Sequence, residues 1–358
     1  MNGPRDLRLV GPCRWIAVLT TAVTVSAARA DPPHRGPEER AIAYLAREVP
    51  RWSKEHRCYS CHNNGDAARA LYAGVRLGRA VPREALADTS DWLAHPERWD
   101  KNGGQGPFSD KRLARVQFVS ALAGAIASGA LTDHGALEDA AHRLAGDQEP
   151  DGSWPIEGDR ALGSPATYGR PLVALSARDA LHAADAKRYR VAIERADRWI
   201  VNQPTVNTPD TSAVLAASAT LKTADARAKR RQCLDLLRKG QSDDGGWGPF
   251  PDAPPEVFDT AVALLALARL PDPPADAAAM KARARRFLVA QQNDDGSWNE
   301  TTRPGGGDSY AQRLSTTGWA ALALLETATT PGKPQPTTAP DSKRMQSPTP
   351  TTTKAQRQ

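Results

Sequence analysis

The chain has 358 residues, enough for one large domain or two ordinary ones with a full apolar core. Its formal net charge of +6 lies at the ends, since residues 1–30 carry four arginines and one aspartate and residues 331–358 five lysines and arginines and one aspartate. The 300 residues between are within one charge of neutral, which excludes the basic footprint of a nucleic-acid-binding protein.

The first thirty residues read as an export signal. Arg5, Arg8 and Arg14 form a basic start, Ile16 to Ala27 an apolar stretch, and Ala28-Arg29-Ala30 a small-residue cleavage site. The expected mature protein begins near Asp31 and is periplasmic or secreted. No transmembrane anchor is expected, because no later stretch approaches twenty apolar residues.

Two predicted helices follow, "ERAIAYLAREVPRWSKE" (39–55) and "GDAARALYAGVRLG" (65–78), with "HRCYSCHNNG" (56–65) between them. C-x-x-C-H is the spacing by which c-type haem is attached. On that reading Cys58 and Cys61 carry the thioether links of one covalent haem c, and His62 is the proximal iron ligand. His95, in "LAHPERW", is the distal candidate from the neighbouring turn, whereas Met280 lies at the start of a later helix and at the far end. Haem implies electron transfer or haem-assisted redox chemistry with a redox partner that the sequence does not identify. A Cys58–Cys61 disulfide, redox thiols or another metal are the competing uses of the pair. Cys233, in line with Leu236 and Leu237 in "RRQCLDLLRKG", reads as a buried structural thiol.

Further along, "QEPDGSWP" (148–155), "QSDDGGWGPF" (241–250) and "QQNDDGSWNE" (291–300) are alike. Each follows an amphipathic run and precedes an apolar one. Met280, Ala284, Phe287 and Leu288 make one stripe of a helix, while "STTGWAALALLE" is apolar nearly all round, as an inner helix should be. Degenerate copies near residues 203 and 105 complete a period of about 45–50 residues, one supersecondary unit each. One step further back lands on the C-x-x-C-H segment, which is therefore the turn of the first repeat. Asp-Gly supplies the positive-φ residue of each tight turn, the Trp packs its ring, and the Gln ties the backbone of neighbouring repeats.

These "QxxDGSW"-type turns resemble the Gln-Trp repeats of squalene–hopene cyclases, and the helix pairs resemble the α/α-toroids of those enzymes and of protein prenyltransferases. The resemblance implies an all-α (α/α)6-type toroid over residues 31–330. About six inner helices would surround a cavity, with six outer helices around them and a small apolar ligand as a candidate occupant. It also implies where the chemistry should differ. The cyclases' D-x-D-D acid motif is reduced to single aspartates, Asp210 in "NTPDTS" and Asp259 in "EVFDTA", which read as helix caps, and no prenyltransferase zinc set is present. Catalytic residues are therefore not assigned. Arg69, Arg115, Arg170 and Arg313 fall near the first turns of inner helices, where converging guanidiniums could hold an anion at the mouth. Residues 331–358 are Pro/Thr-rich without apolar periodicity and read as a disordered tail. Three functions are thus open: a haem redox protein, a terpenoid-cyclase-like enzyme or isoprenoid-binding protein with an incidental Cys pair, and a non-catalytic repeat scaffold.

Overall fold

A helix that is apolar on one stripe needs one partner, and a helix apolar all round needs neighbours on every side. The computed structural model, which describes residues 36–102, 110–157, 162–303 and 306–328, meets both demands with alternating outer and inner helices. The outer helices are α1 (Pro37–His56), α3 (Ala87–Leu93), α5 (Gly135–Gly146), α7 (Arg190–Val201), α9 (Ala224–Gly240) and α11 (Ala277–Ala290). The inner ones are α2 (Ala68–Arg76), α4 (Lys111–Ala127), α6 (Arg170–Asp185), α8 (Thr208–Ser218), α10 (Val257–Ala268) and α12 (Tyr310–Glu326). Each inner helix packs on the next, and α12 packs back on α2, so the ring closes. The chain is an all-α (α/α)6-type toroid; among the described residues there are two isolated β-bridges and no strand. The signal and tail assignments, residues 1–30 and 331–358, lie outside the described residues.

The two helix classes differ as their patterns require. In α11 the stripe Met280, Ala284, Phe287 and Leu288 is buried, while in α12 every residue from Leu314 to Leu325 is. Cys233 is buried as a structural thiol.

The three well-formed turns act as clasps between repeats. In each, the indole N–H donates to a carbonyl at the end of the preceding outer helix: Trp154 to Leu144 at 2.7 Å, Trp247 to Leu237 at 2.8 Å, Trp298 to Leu288 at 2.7 Å. The Gln amide donates to the next repeat's outer helix: Gln148 to Ala192, Gln241 to Met280, and Gln292 to Pro37. The last of these joins the sixth repeat to the first. Gly296 shows why the turn needs glycine. Its φ is +92°, and a Cβ there would stand 2.3 Å from the Arg40 carbonyl oxygen.

Two local expectations are corrected. The cap of α8 is Asn207, whose side chain accepts from the Asp210 N–H, and Asp210 is the third helical residue, taking a hydrogen bond from Asn207 Nδ2. Asp259 is likewise inside α10 rather than at its cap, fully buried and paired with Arg303. The first-repeat turn also differs from a simple loop. Arg57, with φ +53°, ends α1, and Cys61–Ala67 winds as a π-helix that runs straight into α2.

Candidate functional site

Small side chains on the inner helices leave the ring hollow. Ala73, Ala123, Gly124, Ala127, Ala180 and Ala268 face a cavity of about 460 Å³ at the end where the inner helices finish. Leu172, Leu175, Leu265 and Leu322 add apolar wall. The mouth is charged but balanced: Arg76 pairs with Glu326, and Arg269 donates to Asp179 at 2.6 Å.

Trp319 and Arg69 lie at the inner part of the cavity. The guanidinium sits 4.2 Å from the centroid of the indole, a cation–π stack. Tyr168 and Phe258 meet the same indole edge-on at 5.4 and 5.7 Å.

Next to this layer, towards the first turns of the inner helices, is a buried polar cluster. Asp66 accepts from the Tyr168 hydroxyl, from Ser315 Oγ at 2.7 Å and from Gln117 Nε2 at 3.0 Å. His62 Nδ1 lies 2.7 Å from the same Ser315 hydroxyl. Because that hydroxyl gives its proton to Asp66, His62 Nδ1 carries hydrogen and donates to it. Burial pushes the Asp66 carboxyl pKa up, against the Tyr168 and Ser315 donors and the charge of Arg69. Burial pushes the His62 pKa down and so favours neutral imidazole. Glycines make this layer possible: a Cβ on Gly318 would stand 2.8 Å from the Asp66 carbonyl oxygen, and one on Gly65 3.0 Å from Gln117 Cβ.

A second buried carboxylate, Asp259, receives both oxygens' hydrogen bonds from Arg303 Nη2 at 3.0 Å; Arg303 also binds Glu256 and the Gly163 carbonyl. Burial lifts the Asp259 pKa to about 7, with Glu256 adding to the rise and Arg303 opposing it. Neither Asp66 nor Asp259 lines the cavity.

The haem c expectation is corrected by this geometry. Haem attachment needs two accessible thiols and an imidazole free to face iron. Here both thiols are half-buried and already engaged: Cys61 packs against the core, and Cys58 Sγ accepts from the Trp52 indole at 3.3 Å. The His62 ring is tied into the Ser315–Asp66 cluster. His95, the distal candidate, points elsewhere, with its ring nitrogens 3.9 Å from Asp91 and 3.4 Å from Glu97. The first and second turns are neighbours, as expected, but they join through Tyr59 stacked on Trp92 and through Asn102 bonded to the Tyr59 backbone. Among the described residues no group of three or more His, Cys, Asp or Glu side chains is placed to hold a metal ion.

The four arginines do not converge. Arg115 is bound by Asp100 and Asp147, Arg313 by Glu300, and Arg170 lies over Trp199 and donates to Ser153. Arg69 alone of the four faces the cavity. The residues that sequence reasoning missed are Asp66, Gln117, Tyr168, Ser315 and Trp319. Their one available signal was a polar residue on an otherwise apolar inner helix, as with Gln117 in "ARVQFVSALAG".

Comparison with known proteins agrees with the fold. Residues 200–335 match the model of the squalene-hopene cyclase C-terminal domain. Among similar solved structures, type II terpene cyclase MstE from Scytonema (apo) has a TM-score of 0.52 at 16% identity, covering 81% of this chain and 97% of that one. A variant of the same cyclase in complex with geranylgeranyl dihydroxybenzoate has a TM-score of 0.54 at 16% identity, covering 81% and 96%. Another, in complex with merosterolic acid A as product, has 0.52 at 17%, covering 81% and 96%. No curated protein matches by sequence. These likenesses lie with terpene cyclases rather than cytochromes, and with the geometry of His62 and Cys61 they overturn the haem, electron-transfer and redox-partner expectations. The C-x-x-C-H segment is part of the ring's packing.

Proposed function

We propose that this chain is a terpenoid-cyclase-like toroid that binds an isoprenoid chain in its central cavity. The observation that carries the reading is the cavity: about 460 Å³ with alanine and leucine walls, inside the range of roughly 300–1,000 Å³ usual for small-molecule sites. The match to a cyclase domain over residues 200–335, and the prenylated compounds held by the similar structures, support the ligand class. With the export signal, this would be an isoprenoid-handling protein outside the cytoplasm.

Binding is favoured over cyclisation by the placement of the acids. Proton-initiated cyclisation needs a carboxylic acid that presents its proton to an alkene in the cavity. The carboxylates that line the cavity, Asp179 and Glu326, are ion-paired at the mouth. A second reading rests on Asp66, whose burial holds its pKa up next to the cavity's inner layer. On that reading the protonated Asp66 acid, which burial favours, gives its proton to a terminal alkene and becomes the carboxylate that the Tyr168, Ser315 and Gln117 donors hold.

Calorimetric titration with farnesol tests the main reading. Wild type should bind it, and Gly124→Leu should not, because a Cβ at Gly124 meets Tyr72 and Arg69 at ordinary distances of 3.5 and 3.8 Å and a longer side chain fills the bore. Equal binding by both proteins would place the ligand elsewhere. Conversion of a polyprenyl substrate by wild type, lost in a folded Asp66→Asn variant, would establish the second reading instead.

A further inference from the structure

The cavity walls are mainly alanine and leucine with the Ser120 and Ser176 side chains among them, and of the three arginines that line it Arg69 lies away from the mouth. Arg69 forms no ion pair among the described residues, whereas the arginines at the mouth, Arg76 and Arg269, are each bound to a carboxylate. One face of the Arg69 guanidinium is stacked on Trp319, which fixes its plane. A stacked guanidinium still has its N–H edges to offer, and those edges match the two oxygens of a carboxylate. Asp66 does not use them: its oxygens are engaged by Tyr168, Ser315 and Gln117. The other arginines near the first turns of inner helices are occupied, Arg115 by Asp100 and Asp147, Arg313 by Glu300, and Arg170 by Ser153 and the Trp199 ring, so among the described residues Arg69 is the cation lining the bore without a carboxylate partner.

Resting on the isoprenoid-binding reading above, we propose that the ligand is an isoprenoid carboxylic acid, bound head-inward, with its carboxylate on the Arg69 guanidinium and its chain along the alanine and leucine walls. One stacked arginine suits one planar monoanion. A diphosphate head would bring more negative charge than a single guanidinium beside the buried Asp66 can balance. The balanced ion pairs at the mouth give the head no comparable cation there, so the charged end goes deep and the apolar tail lies towards the opening. In this arrangement Arg69 selects ligands by their head, and the small residues Ala73, Ala123 and Gly124 select them by their width.

The test is a calorimetric comparison of three probes on the full chain: farnesoic acid, farnesyl phosphate and farnesol. Farnesoic acid should bind at least about tenfold more tightly than farnesol, the scale of a charge-assisted pair. Arg69→Met should bring that ratio close to one, and Arg69→Lys should restore part of it. Equal affinity of wild type for acid and alcohol overturns the carboxylate assignment while leaving the isoprenoid reading standing; failure to bind any of the three probes overturns both. Tighter binding of farnesyl phosphate than of the acid replaces carboxylate by phosphate as the head. Should Arg69→Met not fold, a neutral ester decides on wild type alone. Methyl farnesoate keeps the chain and the carbonyl but carries no charge, so it should bind no more tightly than farnesol, and binding equal to that of the acid contradicts the Arg69 contact.

Discussion

At the end formed by the first turns of the inner helices, the buried carboxylates Asp66 and Asp259 are fully engaged, one by Tyr168, Ser315 and Gln117 and the other by Arg303. At the opposite end, Ala73, Ala127, Ala183 and Ala268 surround an open bore. The same helices make both ends, so the difference comes from the turns. Gln-Trp clasps and the π-helical first turn crowd one end with buried donors and acceptors, each of which demands a partner. The other end has no such demand and can stay hollow. Stability is therefore expected to reside at the closed end and ligand selection at the open one.

The largest effect should come from breaking a clasp. Trp298→Ala empties a fully buried site and leaves the Leu288 carbonyl without its 2.7 Å donor, in the turn that joins the last repeat to the first. Urea unfolding should show a loss of about 3–5 kcal/mol. Next is the polar cluster. Asp66→Asn replaces one accepting oxygen by an NH2 group facing donors, and should cost about 1–3 kcal/mol in the same assay.

Asp259 sharpens the comparison through pH. Its folded pKa is raised from 3.8 to about 7, so the stability it contributes is complete below pH 4 and is lost as pH rises through about 7. Thermal melts of wild type should include a decline across that window that Asp259→Asn lacks. An identical pH profile in the variant would mean that the Arg303 pair holds the group ionised throughout. The smallest effect on stability belongs to the open end, where Gly124→Leu should change unfolding free energy by no more than about 1 kcal/mol, since leucine is the better helix former, while it abolishes farnesol binding.

Much of the ring was legible in the residues because its determinants are local and repeated. The Gln, Gly and Trp of each clasp lie within seven residues of one another, and the apolar stripe of α11 and the all-round burial of α12 follow from their spacing. The polar cluster was not legible, because it joins His62 and Asp66 of the first-repeat turn to Gln117, Tyr168 and Ser315 from three other repeats. Nothing local distinguishes Ser315 from any other serine on a helix. The C-x-x-C-H segment misled for a related reason. Spacing says which thiols and imidazole are adjacent in the chain, but their partners decide what they do, and here half-buried Cys58, Cys61 and His62 run into the fully buried anchors Asn63 and Asn64. Asn63 donates to the Glu48 carbonyl at 2.9 Å and Asn64 to Thr89 at 2.8 Å. Asp210 and Asp259 show the same limit at single-residue scale, since a cap and a third helical residue differ by three positions and by a partner.

The most direct test of the account is a crystal structure of the protein grown with a brominated prenyl alcohol, read by the anomalous signal of bromine. The account predicts a bromine peak inside the ring, among Ala123, Leu175, Leu265 and Leu322. A peak only on the outer surface, with ordered solvent filling the bore, would contradict it.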